Sequence, residues 1–408
     1  MLPDDSLNRE GEPVGSCEAP IKSDHASAPT SVLALTGVPQ TEADAERPPR
    51  PFPAVVEIED MDWVALREFV GGGDIRARIG STVERMEGFL DRPTTPMLFD
   101  AYRGFTHDKV IHIASAGDNA LWIIGDLHGD LLALQAALAL IHNHPKHGSA
   151  NARIIFLGDL FDDEGFGLEV LLRIFELVAT DPATVCIIAG NHDEALGHDG
   201  TRFTSTVSPS DFSEFLNSDK ADEATIRAGK LAIRLFQSAP RALFFPDGLL
   251  VAHGGFPLAD LHPRLQETGD WNAPSCLSDF VWARAHPTAR KKLPNRFTRG
   301  SQFGYEDFAA FCSVASSLGR PVTHMVRGHD HVEERYQVYP AYKANPILTT
   351  VALSRRLSRE FLGTPERFPT VALYTEDSLP QIFRLHVPAQ LVREFYPEAS
   401  GPPACDAS

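Results

Sequence analysis

The chain has 408 residues, 43% apolar and 23% charged, with a formal charge of −18. That length can bury a substantial core as one large domain or two ordinary ones, and the composition is globular. The acidic excess argues against nucleic acid, whose phosphates are bound chiefly by lysine and arginine. It leaves room for a phosphorylated substrate if a metal site supplies local positive charge. The five cysteines, Cys17, Cys186, Cys276, Cys312 and Cys405, form no CxxC pair, so neither a disulfide framework nor a thiolate zinc site is expected. The opening MLPDDSLNREGEP has no basic and apolar leader pattern, and the apolar run Ser31–Val38 is too short to span a membrane. A reducing, cytoplasmic setting away from membranes is the expectation.

Residues 1–52 are rich in Pro, Ala, Ser, Asp and Glu and end in the stiff Pro48-Pro49-Arg50-Pro51 segment, which predicts a disordered arm. Residues 53–108 read as a helical segment packed on the main domain. Val56, Met61, Val64, Leu66 and Phe69, then Ile79, Val83, Met86 and Leu90, recur at helical spacing. Residues 109–397 form the expected main domain, and 398–408 a disordered tail. Within the main domain strands alternate with helices: Ala120–Gly125, helix Leu131–Ile141, Arg153–Gly158, helix Leu168–Val178 and Thr184–Gly190. Leu249–Ala252 and His324–Arg327 are later strands. Short apolar runs bounded by Gly and Asp indicate an α/β domain with a covered sheet, whose chemistry belongs at the carboxyl ends of its strands.

Five polar clusters fall there, in order: Gly125-Asp126-Leu127-His128-Gly129, Gly158-Asp159-Leu160-Phe161-Asp162, Gly190-Asn191-His192-Asp193, His253-Gly254-Gly255 and Gly328-His329-Asp330-His331. Their Asp, His and Asn side chains suit Mn, Fe or Zn. Asp126 and His128, two apart at a strand end, point the same way and can share one ion. Five such clusters exceed the needs of one metal, and two ions bridged by a carboxylate match the count. A GDxHG string alone is a weak signal, but the ordered set is specific.

The set resembles the PPP family of phosphoprotein phosphatases within the calcineurin-like metallophosphoesterases, whose pattern runs GDxHG, GDxxDRG, GNHE, HGG and R-[AG]-H. The resemblance spans about Leu121–Ser354 and implies two packed mixed β-sheets flanked by helices, an αββα sandwich. It further implies a monomeric phosphatase acting on phosphoserine or phosphothreonine in proteins. Two divalent ions, manganese before iron or zinc, would activate a hydroxide. By motif, Asp126 and His128 would hold the first ion, Asp159 would bridge, and Asn191, His253 and His329 would complete the second. His192 would be the general acid and Asp162 its orienting carboxylate. Asn295–Gly304 (NRFTRGSQFG) is similar to the family's NDRGVSFTFG segment, which makes Arg299 a candidate phosphate ligand.

Three departures suggest a divergent, bacterial-type branch. Asp163 stands where the family has an arginine of its phosphate clamp, with Arg327 or Arg284 as candidate replacements. Asp193 stands for the GNHE glutamate. His331 adds a histidine typical of the wider superfamily and is a candidate ligand of the first ion. Asp163 and Glu164, and likewise Asp193 and Glu194, otherwise read as acids favouring helix N-termini. His112 and Trp282 read as core residues, and His142, His144 and His147 as a solvated helix end. Two alternatives share parts of the pattern: a symmetric diadenosine tetraphosphate hydrolase, and a catalytically silent metal-binding scaffold.

Overall fold

In the computed structural model, residues 52–63, 75–117, 120–144, 152–163, 165–295, 299–352 and 368–395 are described. Two six-stranded mixed sheets organise them. The first runs Val56–Ile58, Gln381–Leu385, Thr370–Tyr374, Leu121–Ile124, Arg153–Phe156, Val185–Ile187; the second runs Tyr336–Val338, Ile347–Thr350, His324–Arg327, Leu249–Ala252, Ala242–Phe244, Val110–His112. In the first sheet the three strands leading to the GDLHG, GDLFD and GNHD clusters are parallel neighbours. In the second, the strands leading to HGG and GHDH are also parallel neighbours. All five clusters therefore leave the same ends of their strands, three from one sheet and two from the other.

The alternation of side chains along a strand explains why the sheets stack. Leu121, Ile123, Ile155 and Cys186 face Leu243, Val251, Val326 and Leu348 in one dry layer between the sheets. Their neighbours Trp122, Ile124, Ile154 and Phe156 face outward instead, under helices Leu131–Asn143 and Gly167–Thr180. A third cluster, including Phe256, Phe280, Phe308 and Phe311, lies between the second sheet and helices Pro274–Trp282 and Tyr305–Ser317. The three apolar layers make the αββα sandwich that the sequence led us to expect.

The segment 53–108 differs in part from expectation. Val56 lies in a strand, not a helix, pairing parallel with Gln381–Leu385 through Val56–Ile58. Three residues, Val56-Glu57-Ile58, cannot distinguish a period of 2 from one of 3.6, and the sheet edge decides. Residues 64–74, with Val64, Leu66 and Phe69, lie outside the described residues. The helix Ile79–Asp91 is present, with Val83 and Met86 fully buried in the core of the first sheet's helices. Ion pairs Arg227–Glu87 and Arg234–Asp91 tie it to helix Glu223–Ser238. The arm, the tail, His147 and Glu164 also fall outside the described residues.

Several core expectations acquire partners. His112 packs against Phe244 and Trp271, and burial lowers its pKa to about 4. His144, expected in a solvated helix end, sets its ring edge-on to Trp122 and Phe383. Cys186, Cys276 and Cys312 are buried free thiols.

Candidate active site

The cluster loops converge because small residues let them approach. A Cβ on Gly328 would stand 2.1 Å from Asp126 Oδ1. Gly158, at φ 99°, packs so closely on Gly190 that a Cβ would lie 2.2 Å from its nitrogen. Non-glycine residues here also take the left-handed backbone: His128 (φ 46°), Asp159 (51°), Asp162 (69°), Asp163 (81°) and His329 (68°). Such conformations persist where surrounding contacts over-determine them, and they cluster at functional sites.

The two histidines expected beside Asp126 meet: His128 Nε2 and His331 Nε2 are 2.9 Å apart, and His331 Nε2 is 3.6 Å from Asp126 Oδ2. On the other side, His253 Nε2 lies 3.1 Å from both Asn191 Oδ1 and His329 Nδ1. Between these groups stands one oxygen. Asp159 Oδ2 is 3.6 Å from His128 Nε2 and 3.3 Å from His253 Nε2.

These spacings allow a test of whether cations fit. Donors about 2.1 Å from one ion stand about 3.0 Å apart at right angles and about 3.4 Å apart in a tetrahedron. The observed separations bracket those edges. The tautomer of His253 agrees: Nδ1 lies 3.0 Å from the carbonyl of Leu157, so it donates, and neutral Nε2 turns a lone pair toward Asn191 Oδ1 and Asp159 Oδ2. Converging lone pairs require a positive charge among them. Without an ion a proton serves: burial disfavours the His253 imidazolium, but Asp159 and Asp126 outweigh burial and raise its pKa. Burial and His331 push His128 down to about 3, and burial, with Arg284 and His253, holds His329 well below the usual range. Both are thus neutral, the form that ligates. Burial opposes ionisation of Asp126 and Asp159, yet His253 and the other histidines hold both carboxyls below their ordinary range.

His192 sits beside this cluster, its ring 4.8 Å edge-on from that of His128. Its Nδ1 is 2.7 Å from Asp162 Oδ2, while Asp162 Oδ1 accepts from the Phe212 N–H at 2.9 Å. Burial opposes the charged imidazole, but Asp159 and then Asp162 outweigh it and raise His192 to about 9. Burial lifts the Asp162 carboxyl too, against hydrogen bonds from His192 and Phe212. The shared proton rests on the ring because two carboxylates support it there.

Three other residues depart from their sequence reading, and Asp193 keeps it while doing more. Asp193 is a helix-start acid as read, in the first turn of helix Asn191–Ala195, where it accepts from the Gly190 N–H at 2.9 Å; 1% exposed, it also accepts from the backbone N–H of Asp159 (2.8 Å) and Leu160 (3.2 Å). It ties the Asp159 loop to the start of the helix that carries Asn191. Arg327 does not replace the missing clamp arginine: it is fully buried and donates to the Gly254 carbonyl, Asp330 and Thr349 Oγ1. Arg284 donates to the His329 carbonyl and Asp330. Asp163 is not a helix-start acid: the next helix is capped at Phe166 and has only Glu169 as an acid in its first turn, and Asp163 Oδ2 lies instead 4.0 Å from His128 Nδ1. Arg299 sets its guanidinium 4.5 Å over the ring of Trp282. Trp282 is largely buried, as expected, and its indole N–H donates to Glu194, two residues beyond His192. The helix-start reading of Asp193 carried no sign of its bonds to the Asp159 loop, and the motif's R-x-H spacing was the available clue to Arg327.

A fold with five metal-type clusters on adjoining strand ends defines a metallophosphoesterase. The model of the calcineurin-like phosphoesterase family matches residues 120–333, more than half of the chain, which therefore belongs to that family. The serine/threonine-protein phosphatase rdgC of Drosophila melanogaster is 28% identical over 144 residues, 35% of this chain. The chain spans about one fifth of that relative's length, 20%. A solved Saccharomyces cerevisiae protein, described as a serine/threonine phosphatase with similarity to human phosphatase PP5, superposes with a TM-score of 0.51. It is 17% identical, with 80% of this chain and 97% of that one covered, which shows the shared fold.

Proposed function

We propose that the chain is a PPP-type phosphatase that hydrolyses phosphoserine and phosphothreonine in proteins with two divalent ions, manganese first among them. The reading rests most on one observation, the single oxygen of Asp159 that faces both histidine groups. Asp126, His128, Asp159 and His331 would hold one ion; Asp159, Asn191, His253 and His329 would hold the other. When bound, such a pair lowers the pKa of a coordinated water toward ~7 and neutralises phosphate charge. The rdgC resemblance supports a protein substrate, and we place the enzyme in the cytoplasm as a monomer. No helix among the described residues is long and apolar enough to cross a membrane.

The chain's own residues supply the rest. The alkoxide of serine or threonine is a poor leaving group and needs a proton as the P–O bond breaks. His192 can deliver one from Nε2, because Asp162 engages Nδ1 and fixes the ring. Asp193 keeps the Asp159 and Asn191 loops in register, so the ligand oxygens need not reorganise during turnover. Arg299, held over the Trp282 ring, would offer a bidentate fork to the phosphate from the rim.

The test is turnover of a phosphoserine peptide and of diadenosine tetraphosphate by metal-depleted protein, before and after manganese addition. Peptide hydrolysis that appears with manganese and disappears in Asp126→Asn is expected. Turnover of the dinucleotide alone would move the assignment to the nucleotide hydrolase, and hydrolysis of neither would leave a silent scaffold.

A further inference from the structure

The geometry points to Asp163 as a positioning residue for His128, a carboxylate that accepts the Nδ1–H hydrogen bond and thereby aims Nε2 at the first ion. This inference rests on the dinuclear reading above. A histidine that ligates through one nitrogen almost always donates the other N–H to a carboxylate, carbonyl or water, which fixes its tautomer and raises its basicity. His253 meets that need through the Leu157 carbonyl. His128 does not: it is 2% exposed, and its Nδ1 is buried with no hydrogen-bond partner among the described residues. Its Nε2 is the nitrogen that faces His331 and Asp159, so when Nε2 ligates an ion Nδ1 carries the proton of the neutral ring.

Asp163 Oδ2 faces that nitrogen at 4.0 Å. The separation is about 1 Å beyond a hydrogen bond, and a small rotation about χ1 closes it. Its backbone is set for the task. A left-handed φ of 81° turns residue 163 back toward the GDLHG loop, and its N–H is anchored on Asp211 Oδ1 at 2.8 Å. The position that in the resembled family bears a phosphate-clamp arginine thus serves the metal side of this site. Negative charge replaces positive charge beside the first ion, which strengthens its retention and removes one arm from the substrate phosphate.

The experiment is calorimetric manganese titration of the metal-depleted full chain, with bound metal counted by elemental analysis, for wild type, Asp163→Asn and Asp163→Gly. Asn and Gly both accept left-handed backbone, so neither variant adds strain there. Wild type should bind two ions. Asp163→Gly should weaken one of the two by about 10–100-fold, the usual effect of losing such a partner, and leave the other within about twofold. Asp163→Asn, which keeps an acceptor oxygen but not the charge, should fall between. A nitrogen-edited spectrum of the zinc-loaded protein should show the His128 Nδ1 proton moved in both variants. Unchanged affinities in Asp163→Gly would overturn the assignment, as would equal weakening of both ions. A wild type that binds fewer than two ions would instead overturn the dinuclear reading itself.

Discussion

Replacing Asp193 by asparagine should cost this protein both stability and metal. The carboxylate accepts three backbone N–H groups, one of them on Asp159, the proposed bridge between the ions. An asparagine oxygen can keep the two donors that share Oδ2, Asp159 and Gly190, but its amide nitrogen then faces the Leu160 N–H, donor against donor. An orphaned buried donor costs about 1–3 kcal/mol. The two retained bonds lose their charge assistance, which is worth roughly half their strength, or about 1 kcal/mol between them. The expected loss is therefore roughly 2–4 kcal/mol. The comparison belongs in manganese at about pH 8, well above the ordinary aspartate pKa. Without ions, burial and the Asp159 charge lift the Asp193 carboxyl to about 7; cations on Asp159 remove the second cause and leave three donors to hold the ionised form. Urea denaturation should show the midpoint falling by an amount on the order of 1 M, and manganese affinity should fall at both sites, because Asp159 serves both. A variant within about 0.5 kcal/mol of wild type, still loading two ions at wild-type affinity, would refute the claim that Asp193 fixes the bridging loop.

Other outcomes follow from the same geometry. His192→Ala should lose about 10²–10⁴ in kcat on a phosphoserine peptide but much less on p-nitrophenyl phosphate, whose leaving group departs without a proton; equal losses on both would remove His192 from the role of acid. His192 is raised above an ordinary histidine, so its protonated form persists as pH rises through 6.5 and is lost toward its folded value of about 9, or lower once cations offset Asp159. The alkaline limb of the peptide kcat/KM profile should accordingly lie above 6.5 and move to lower pH in Asp162→Asn. Arg327→Met, which leaves the buried Gly254 carbonyl and Thr349 Oγ1 without the guanidinium while Asp330 keeps Arg284, should destabilise by about 1–3 kcal/mol in urea melts; a loss below about 0.5 kcal/mol would make that network dispensable. Stripping the ions with a chelator should lower the melting temperature, because each ion at a hundredfold excess over Kd contributes about 2.7 kcal/mol. Restoring manganese should return it.

The sequence made legible what depends on residue type at short range. Asp126, His128, Asp159, Asn191, His253 and His329 announce themselves because each follows an apolar strand and sits beside a glycine, and the strand order then brings them together. The sheets could be foreseen for the same reason, since runs such as LWII and RIIF bury both faces. What escaped was decided through space. Asp162 was legible through its motif and does face His192, but its neighbours were not: Asp163 faces His128, and Asp193, besides its helix-start bond to Gly190, accepts from the Asp159 and Leu160 N–H groups. Nothing in their spacing shows that an acid at a helix start also anchors a neighbouring loop. The arginines failed in the opposite direction: Arg327 looked available for phosphate because it lies two residues before a ligand. Its strand, however, is central to the second sheet, and a central strand buries whatever it carries.

That placement also explains why the site lies where the sheets meet rather than on either one. The first sheet contributes Asp126, His128, Asp159 and Asn191; the second contributes His253, His329 and His331. On the dinuclear reading neither set would surround an ion alone, and Asp159 would belong to both coordination groups. A parallel bridge between Asp126 and Val351 ties the first sheet's leading cluster to residues just beyond the second sheet's Ile347–Thr350 strand. A shift of one sheet against the other by even 1 Å would pull His253 from Asp159 while leaving each sheet's internal hydrogen bonds intact. The apolar layer between the sheets, packed from Ile123, Ile155, Val251 and Val326, is therefore part of the active-site apparatus. A cavity there, as in Val326→Ala, should weaken manganese binding as well as stability, whereas an equally deep cavity beneath the outer helices, as in Val178→Ala, should cost stability alone.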